Sequence, residues 1–150
     1  MAKNEIVVGV DGSDASVAAL RWAAEEAERS GASVVVVHAW EYPYVGELTG
    51  TSALPDARVF EESARAVLDD TIQRAKLPGD LPVFAEIYEG SPSRCLLDRS
   101  ADALMLVVGA RGHGGFLHLL LGSVATQCVN HATVPVVVVP SPGRGSRRGS

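Results

Sequence analysis

The valines constrain the fold of this chain more than any other feature. There are 21 of them among 150 residues, and most sit in five short apolar bursts at 5–10 (EIVVGV), 33–39 (SVVVVHA), 82–88 (PVFAEIY), 103–109 (ALMLVVG) and 134–139 (VPVVVV). A β-branched side chain is stiff at χ1 and packs well on a pleated surface. Continuous runs of such residues, without a polar alternate, are what strands buried on both faces need. The third burst alternates, so one of its faces is expected to be wetter. Between the bursts the period changes to that of a helix. Asp14 is expected to cap a helix to about residue 29, with Val17, Leu20, Ala24 and Ala27 on one stripe and Gly31 as its stop. Over 56–76, Phe60, Ala64, Val67, Leu68, Ile72 and Ala75 recur at three and four. Ser91-Pro92 reads as an N-cap and N1 proline opening a short helix to about residue 100. A last helix is expected over 123–131.

The order is then β-α-β-α-β-α-β-α-β. Strict alternation dictates an α/β fold, a three-layer sandwich of one parallel sheet with right-handed crossovers and helices on both faces. Pro135 has no amide to donate inside the fifth burst, so that strand is expected at a sheet edge. Two stretches break the rhythm: a long loop over 40–54 and a Gly/Pro/Ser/Arg tail over 141–150, expected to be a disordered basic tail behind a single domain over 1–140.

Charge and length exclude several functions. The net charge is −5, and three of the 13 basic residues (Arg144, Arg147 and Arg148) lie in the tail, so the body is more acidic still. A nucleic-acid binder would present a basic face. No run approaches the roughly 18 apolar residues of a membrane span. Cys95 and Cys128 form neither a C-x-x-C pair nor a disulfide framework, and Met1 leads almost directly into the first strand without a long apolar leader. A reducing cytoplasm is therefore the expected location.

The chemistry concentrates after the fourth burst. Five glycines (109, 112, 114, 115 and 122) fall within fourteen residues, the last directly before Ser123 and the final helix. Glycine lets successive amides point into one concavity, and a helix N-terminus adds unpaired N–H groups with a favourable dipole. Such a segment is either a flexible turn or a phosphate cradle. Its place beyond the C-terminal end of a strand favours the cradle, since open α/β sheets bind ligands there. Known phosphate motifs do not fit. The P-loop needs a lysine, and the only lysines are Lys3 and Lys76. The turn after the first burst, Gly9-Val10-Asp11-Gly12-Ser13, lacks dinucleotide spacing. On their own chemistry, Asp11 is either an acceptor for sugar hydroxyls or an Asx-turn former. Arg111 is either a phosphate partner or a solvated loop charge. His113 is a phosphate donor or an exposed loop residue.

The spacing that is present is Gly109-x2-Gly112-x9-Gly122-Ser123. With it the chain resembles the universal stress protein family, in its ATP-binding branch. The resemblance runs from about residue 4 to 140 and includes VVGVDGSDAS, VVVVHAW, GSPS and NHATVPVVVV. It implies a Rossmann-like, adenine nucleotide alpha hydrolase-like sheet of five strands in the order 3-2-1-4-5. It further implies that Asp11 meets the ribose or adenosine, with Val10, Gly12 and Ser13 forming the wall, and that Ala39 lines the adenine slot. Val108 and Gly109 would flank the ribose. Arg111, Gly112 and His113 would approach the phosphates, and Gly122, Ser123, Val124 and Ala125 would hold phosphates and ribose at the helix mouth. The family often carries a hydroxyl two residues after the serine; here that residue is Ala125.

The implied cofactor is ATP, with AMP or cyclic AMP as alternatives and magnesium as companion. The implied role is a nucleotide-dependent switch in stress response or signalling, with slow or no hydrolysis and no catalytic residues. A weak ATPase and a nucleotide-free interaction module remain open. A homodimer through the fifth strand is expected, because that strand is apolar and would leave an open edge and because similar proteins pair there. The remaining candidates have plainer readings: Cys128 as a buried apolar group, His38 as a satisfied core histidine, Cys95 as no more than a weak nucleophile, and the patch 116–121 (FLHLLL) as a cover for phosphates or a partner.

Overall fold

The computed structural model describes residues 3–42, 56–112 and 121–142. Five parallel strands form one sheet: β1 (Glu5–Gly9), β2 (Ser33–Trp40), β3 (Val83–Glu89), β4 (Met105–Gly109) and β5 (Val136–Val139). Their order is β3-β2-β1-β4-β5. Four helices alternate with them: α1 (Asp14–Ser30), α2 (Ala57–Ala75), α3 (Pro92–Arg99) and α4 (Ser123–His131). The expected architecture is therefore present, and the fifth burst is an edge strand. Pro135 lies one residue before β5, where its carbonyl still accepts from the Leu106 amide at 2.9 Å.

Each sheet face has its own core. Ile6, Val8, Val34, Val36 and Val107 face α1 and α2, meeting Leu20 and Leu68. Val7, Val35, Val37, Leu106 and Val108 face α3 and α4, meeting Leu96 and Cys128. Every valine of the second burst, Val34 to Val37, is at most 1% exposed, as a central strand covered on both sides requires. Burying one such side chain contributes about 1.5–3 kcal/mol. The equally apolar β5 is only half-buried along its whole length, because one neighbour is missing.

Helix starts explain one departure from expectation. The N-cap of α1 is Ser13, whose hydroxyl accepts from the Ser16 amide; Asp14 falls in the first turn instead. There it suits the positive end of the helix dipole. Ser91 caps α3 as expected, and Asp56 caps α2.

An ion cluster ties the end of α3 to two strands of the sheet. Arg99, at the end of α3, donates to Glu5 Oε2 and Glu86 Oε1, both at 2.7 Å. The Tyr88 hydroxyl adds a bond to Glu86 Oε1 at 2.6 Å. Bonding to Arg99 holds the Glu86 carboxyl below the usual glutamate range, while burial and then Glu86 raise Tyr88. Among the described residues, no helix is long and apolar enough to cross a membrane.

Candidate functional site

The C-terminal ends of β1, β2 and β4 open on a cavity of about 610 Å³. It lies between β1 and β4, whose crossovers leave on opposite faces, the position at which open α/β sheets take ligands. Its floor is mostly apolar. Val10 and Ala39 line it from the ends of β1 and β2, and Val108 and Gly109 from β4. The polar groups gather at one side, with Asp11 and Ser13 from the β1–α1 turn, Arg111 and Gly112 after β4, and Gly122 and Ser123 at the mouth of α4. Val124 completes that wall.

Two backbone contacts bring the ends of the glycine segment together. The Gly122 amide donates to the Ala110 carbonyl at 2.7 Å. A Cβ on Gly122 would stand 3.3 Å from the Arg111 Cα, closer than most side chains tolerate. On Gly112 a Cβ would collide with Asp11 Oδ2. The turn after β4 thus lies against both the α4 mouth and the Asp11 carboxylate, and a side chain at either glycine would push a neighbour out of place.

The α4 mouth differs from the other helix starts. Ser13, Asp56 and Ser91 each place a side-chain oxygen on a first-turn amide, whereas Gly122 has none to offer. Among the described residues no side chain caps α4. Its first-turn N–H groups and the dipole they terminate are directed at the cavity wall formed by Gly122, Ser123 and Val124, an arrangement suited to an anion.

Asp11 forms the Asx-turn of its plainer reading and stands at the cavity. Its Oδ1 accepts from the Ser13 amide at 2.9 Å, an Asx-turn, while the residue lines the cavity. Gly12 and Ala125 are not among the lining residues. Ala125 is 2% exposed and packs in the core under α4. Thr126, one residue on, lines the cavity instead, so a hydroxyl absent at 125 is present at the next position. His113 and the patch at 116–120 lie outside the described residues, as do the loop residues 43–54 and the tail residues 143–150.

Several lining residues were not anticipated. Pro92 and Leu96 reach the cavity from α3, and Gln127 from α4. The packing of Leu96 against Gly9, where a Cβ would come within 2.5 Å, brings α3 close to the end of β1. A helix of eight residues is too short for its periodicity to reveal that contact. His38 also lines the cavity. Its Nδ1 lies 2.8 Å from the Val10 carbonyl and donates to it. It is thus a satisfied histidine, but at the rim of the core. Among the described residues, no group of three or more His, Cys, Asp or Glu side chains could hold a metal ion.

A doubly wound parallel sheet with a ligand-sized cleft at its switch point and an open helix mouth in the wall defines a class of α/β ligand-binding domains. Within that class the family can be stated. The family model described as Universal stress protein family matches residues 3–140, and the chain belongs to this family. Universal stress protein Rv2005c of Mycobacterium tuberculosis is 36% identical over 133 residues, which cover 89% of this chain and 44% of that protein. The chain therefore spans less than half the length of such curated relatives. Among solved structures, a universal stress protein in complex with cAMP is 27% identical, with a TM-score of 0.65 and coverage of 94% of this chain and 99% of that one. The universal stress protein from Archaeoglobus fulgidus in complex with dAMP is 26% identical, with a TM-score of 0.61 and coverage of 93% and 99%.

Proposed function

We propose that this chain binds an adenine nucleotide, ATP by preference, in the cavity at the ends of β1, β2 and β4, and serves as a nucleotide-dependent switch in stress response. The observation that carries this reading is the uncapped mouth of α4 hydrogen-bonded to the glycine turn beside an apolar floor. An apolar slot near Ala39 suits a flat base, the Asp11 carboxylate suits sugar hydroxyls, and the α4 amides with Arg111 suit phosphates. The two structural neighbours in complex with cAMP and dAMP support the adenine part.

Magnesium fits this arrangement only in one manner. It ordinarily keeps several waters and joins the phosphates with one or two protein groups, so the lack of a multi-carboxylate cage among the described residues is compatible with it. Its contribution would be to neutralise phosphate charge. The chain's own groups would bind and orient the nucleotide.

Turnover ranks below binding. Hydrolysis needs a positioned water and stabilisation of charge at the γ-phosphate. Arg111 offers the second; for the first, the lining residues supply Asp11, whose Oδ1 is engaged by the Ser13 amide, and Gln127 of α4. Binding of the folded state alone would stabilise it by about 2.7 kcal/mol at a hundredfold excess over Kd, which links nucleotide level to protein population.

Calorimetric titration with ATP, ADP, AMP and cyclic AMP tests this directly. Saturable ATP binding is expected, and Gly122→Glu should weaken it at least tenfold by placing a carboxylate at the anion end. Absence of measurable binding at millimolar nucleotide would leave the empty interaction module as the better reading. Phosphate release above background would favour the weak ATPase.

A further inference from the structure

Arg74 lies on α2, outside the cavity, yet it grips the turn that carries Asp11. Its Nη1 donates to the Gly12 carbonyl at 2.8 Å and its Nη2 to Asp14 Oδ1 at 2.7 Å. Asp70, one helical turn earlier, flanks the same guanidinium at 3.6 Å. Arg21 of α1 reaches back to the carbonyls of Arg74 and Ala75 at 3.0 and 3.3 Å, fastening the end of α2 to α1. The turn between β1 and α1 is therefore held from outside at two carbonyls, Val10 by His38 and Gly12 by Arg74.

We propose that Arg74 is a positioning residue for sugar recognition, setting the direction of the Asp11 carboxylate through the Gly12 carbonyl. The proposal rests on the nucleotide reading of the cavity. The Gly12 carbonyl that Arg74 holds and the Ser13 amide that bonds Asp11 Oδ1 belong to one planar peptide unit, so a turn of that unit moves the donor that aims the carboxylate. Asp11 is also constrained on its other side, because Oδ1 accepts from the Ser13 amide and Oδ2 faces Gly112. Little slack remains in that geometry while the Gly12 carbonyl is held. The α4 mouth has its own anchor through Ala110, and the two meet where Asp11 Oδ2 faces Gly112. The Arg74 bonds therefore bear directly on the Asp11 turn, and on the glycine turn through it. By reciprocity, a ligand that draws Asp11 into place also tightens α2 against α1.

The test compares ATP with 2′,3′-dideoxy-ATP on the wild-type chain, Arg74→Met, Arg74→Lys and Asp14→Asn by calorimetry. The wild type is expected to prefer ATP. Arg74→Met should lose at least five-fold in ATP affinity with little change for the dideoxy analogue, so that the preference collapses towards one. Arg74→Lys, which keeps a donor, should restore part of the preference and carries the test if the methionine variant does not fold. Asp14→Asn, which removes the ion pair but not the Gly12 bond, should retain the wild-type preference. An unchanged preference in the Arg74 variants, or equal losses for both nucleotides, overturns the proposal. A wild type that binds neither nucleotide instead overturns the reading of the cavity itself.

Discussion

Cys128 illustrates how far a single side chain can be read. Expected as a buried apolar group, it is 0% exposed and packs between α4 and the valines of β4. Burial pushes its thiol up to about 11, so it stays neutral and unreactive near neutral pH. Cys95 is only partly covered, although burial and the nearby Asp98 raise it too. A thiol reagent at pH 8 should therefore modify Cys95 in the folded protein and Cys128 only on unfolding; simultaneous labelling of both would contradict the packing described. At this scale the sequence was legible where chemistry is local, as in the Asx-turn of Asp11 and the buried Cys128. It was misleading where two neighbours compete for one role. Ser13 rather than Asp14 takes the cap of α1, and Thr126 rather than Ala125 brings a hydroxyl to the cavity, because helix phase decides which of two adjacent residues faces inward.

At the scale of elements, the clamp of α3 onto the sheet is electrostatic as well as apolar. The Arg99 side chain is 20% exposed and bonds both Glu5 and Glu86. Because Glu86 is depressed in the folded chain, its contribution is complete above the ordinary glutamate value of 4.5 and is lost as pH falls through the lower folded value. Thermal unfolding followed from pH 7 down to pH 3 should show a loss of stability below about pH 4.5, and Glu86→Gln should flatten that limb while lowering stability at pH 7 by roughly 1–2 kcal/mol. An acid limb identical in both proteins would remove Glu86 from the account. This cluster was not visible in the sequence. Its members lie at positions 5, 86 and 99, on two strands separated by β2 and at the end of α3, and the assembled fold alone lets the long Arg99 side chain reach both carboxylates. Helices and strands themselves were legible because β-branched bursts and three-four periodicity are local signals. The contact of Leu96 with the end of β1 was not, since it depends on where a short helix crosses the sheet.

For the molecule as a whole, alternation of strand and helix left one architecture available, and the valine runs separated central strands from edges only in part. β2 and β5 each carry four valines, yet those of β2 are buried and those of β5 half-buried. That difference is set by the number of neighbours, which composition does not record. An edge of four half-buried valines is a ready surface for a second copy of the chain. We expect sedimentation to report a homodimer at micromolar concentration, and Val137→Lys or Val139→Lys to shift it to monomer with the fold retained by circular dichroism. A monomer at all concentrations would reassign that edge.

β1 carries this division of roles in one strand. Just past its end stands Asp11, facing the cavity; at its start stands Glu5, locked to Arg99. On the proposed reading of the cavity, one end of β1 serves recognition and the other cohesion. Exchanges of residue at the recognition pole can alter what the cleft accepts while the fastening at the opposite pole goes untouched, and such a scaffold can diversify its chemistry without having to relearn how to fold.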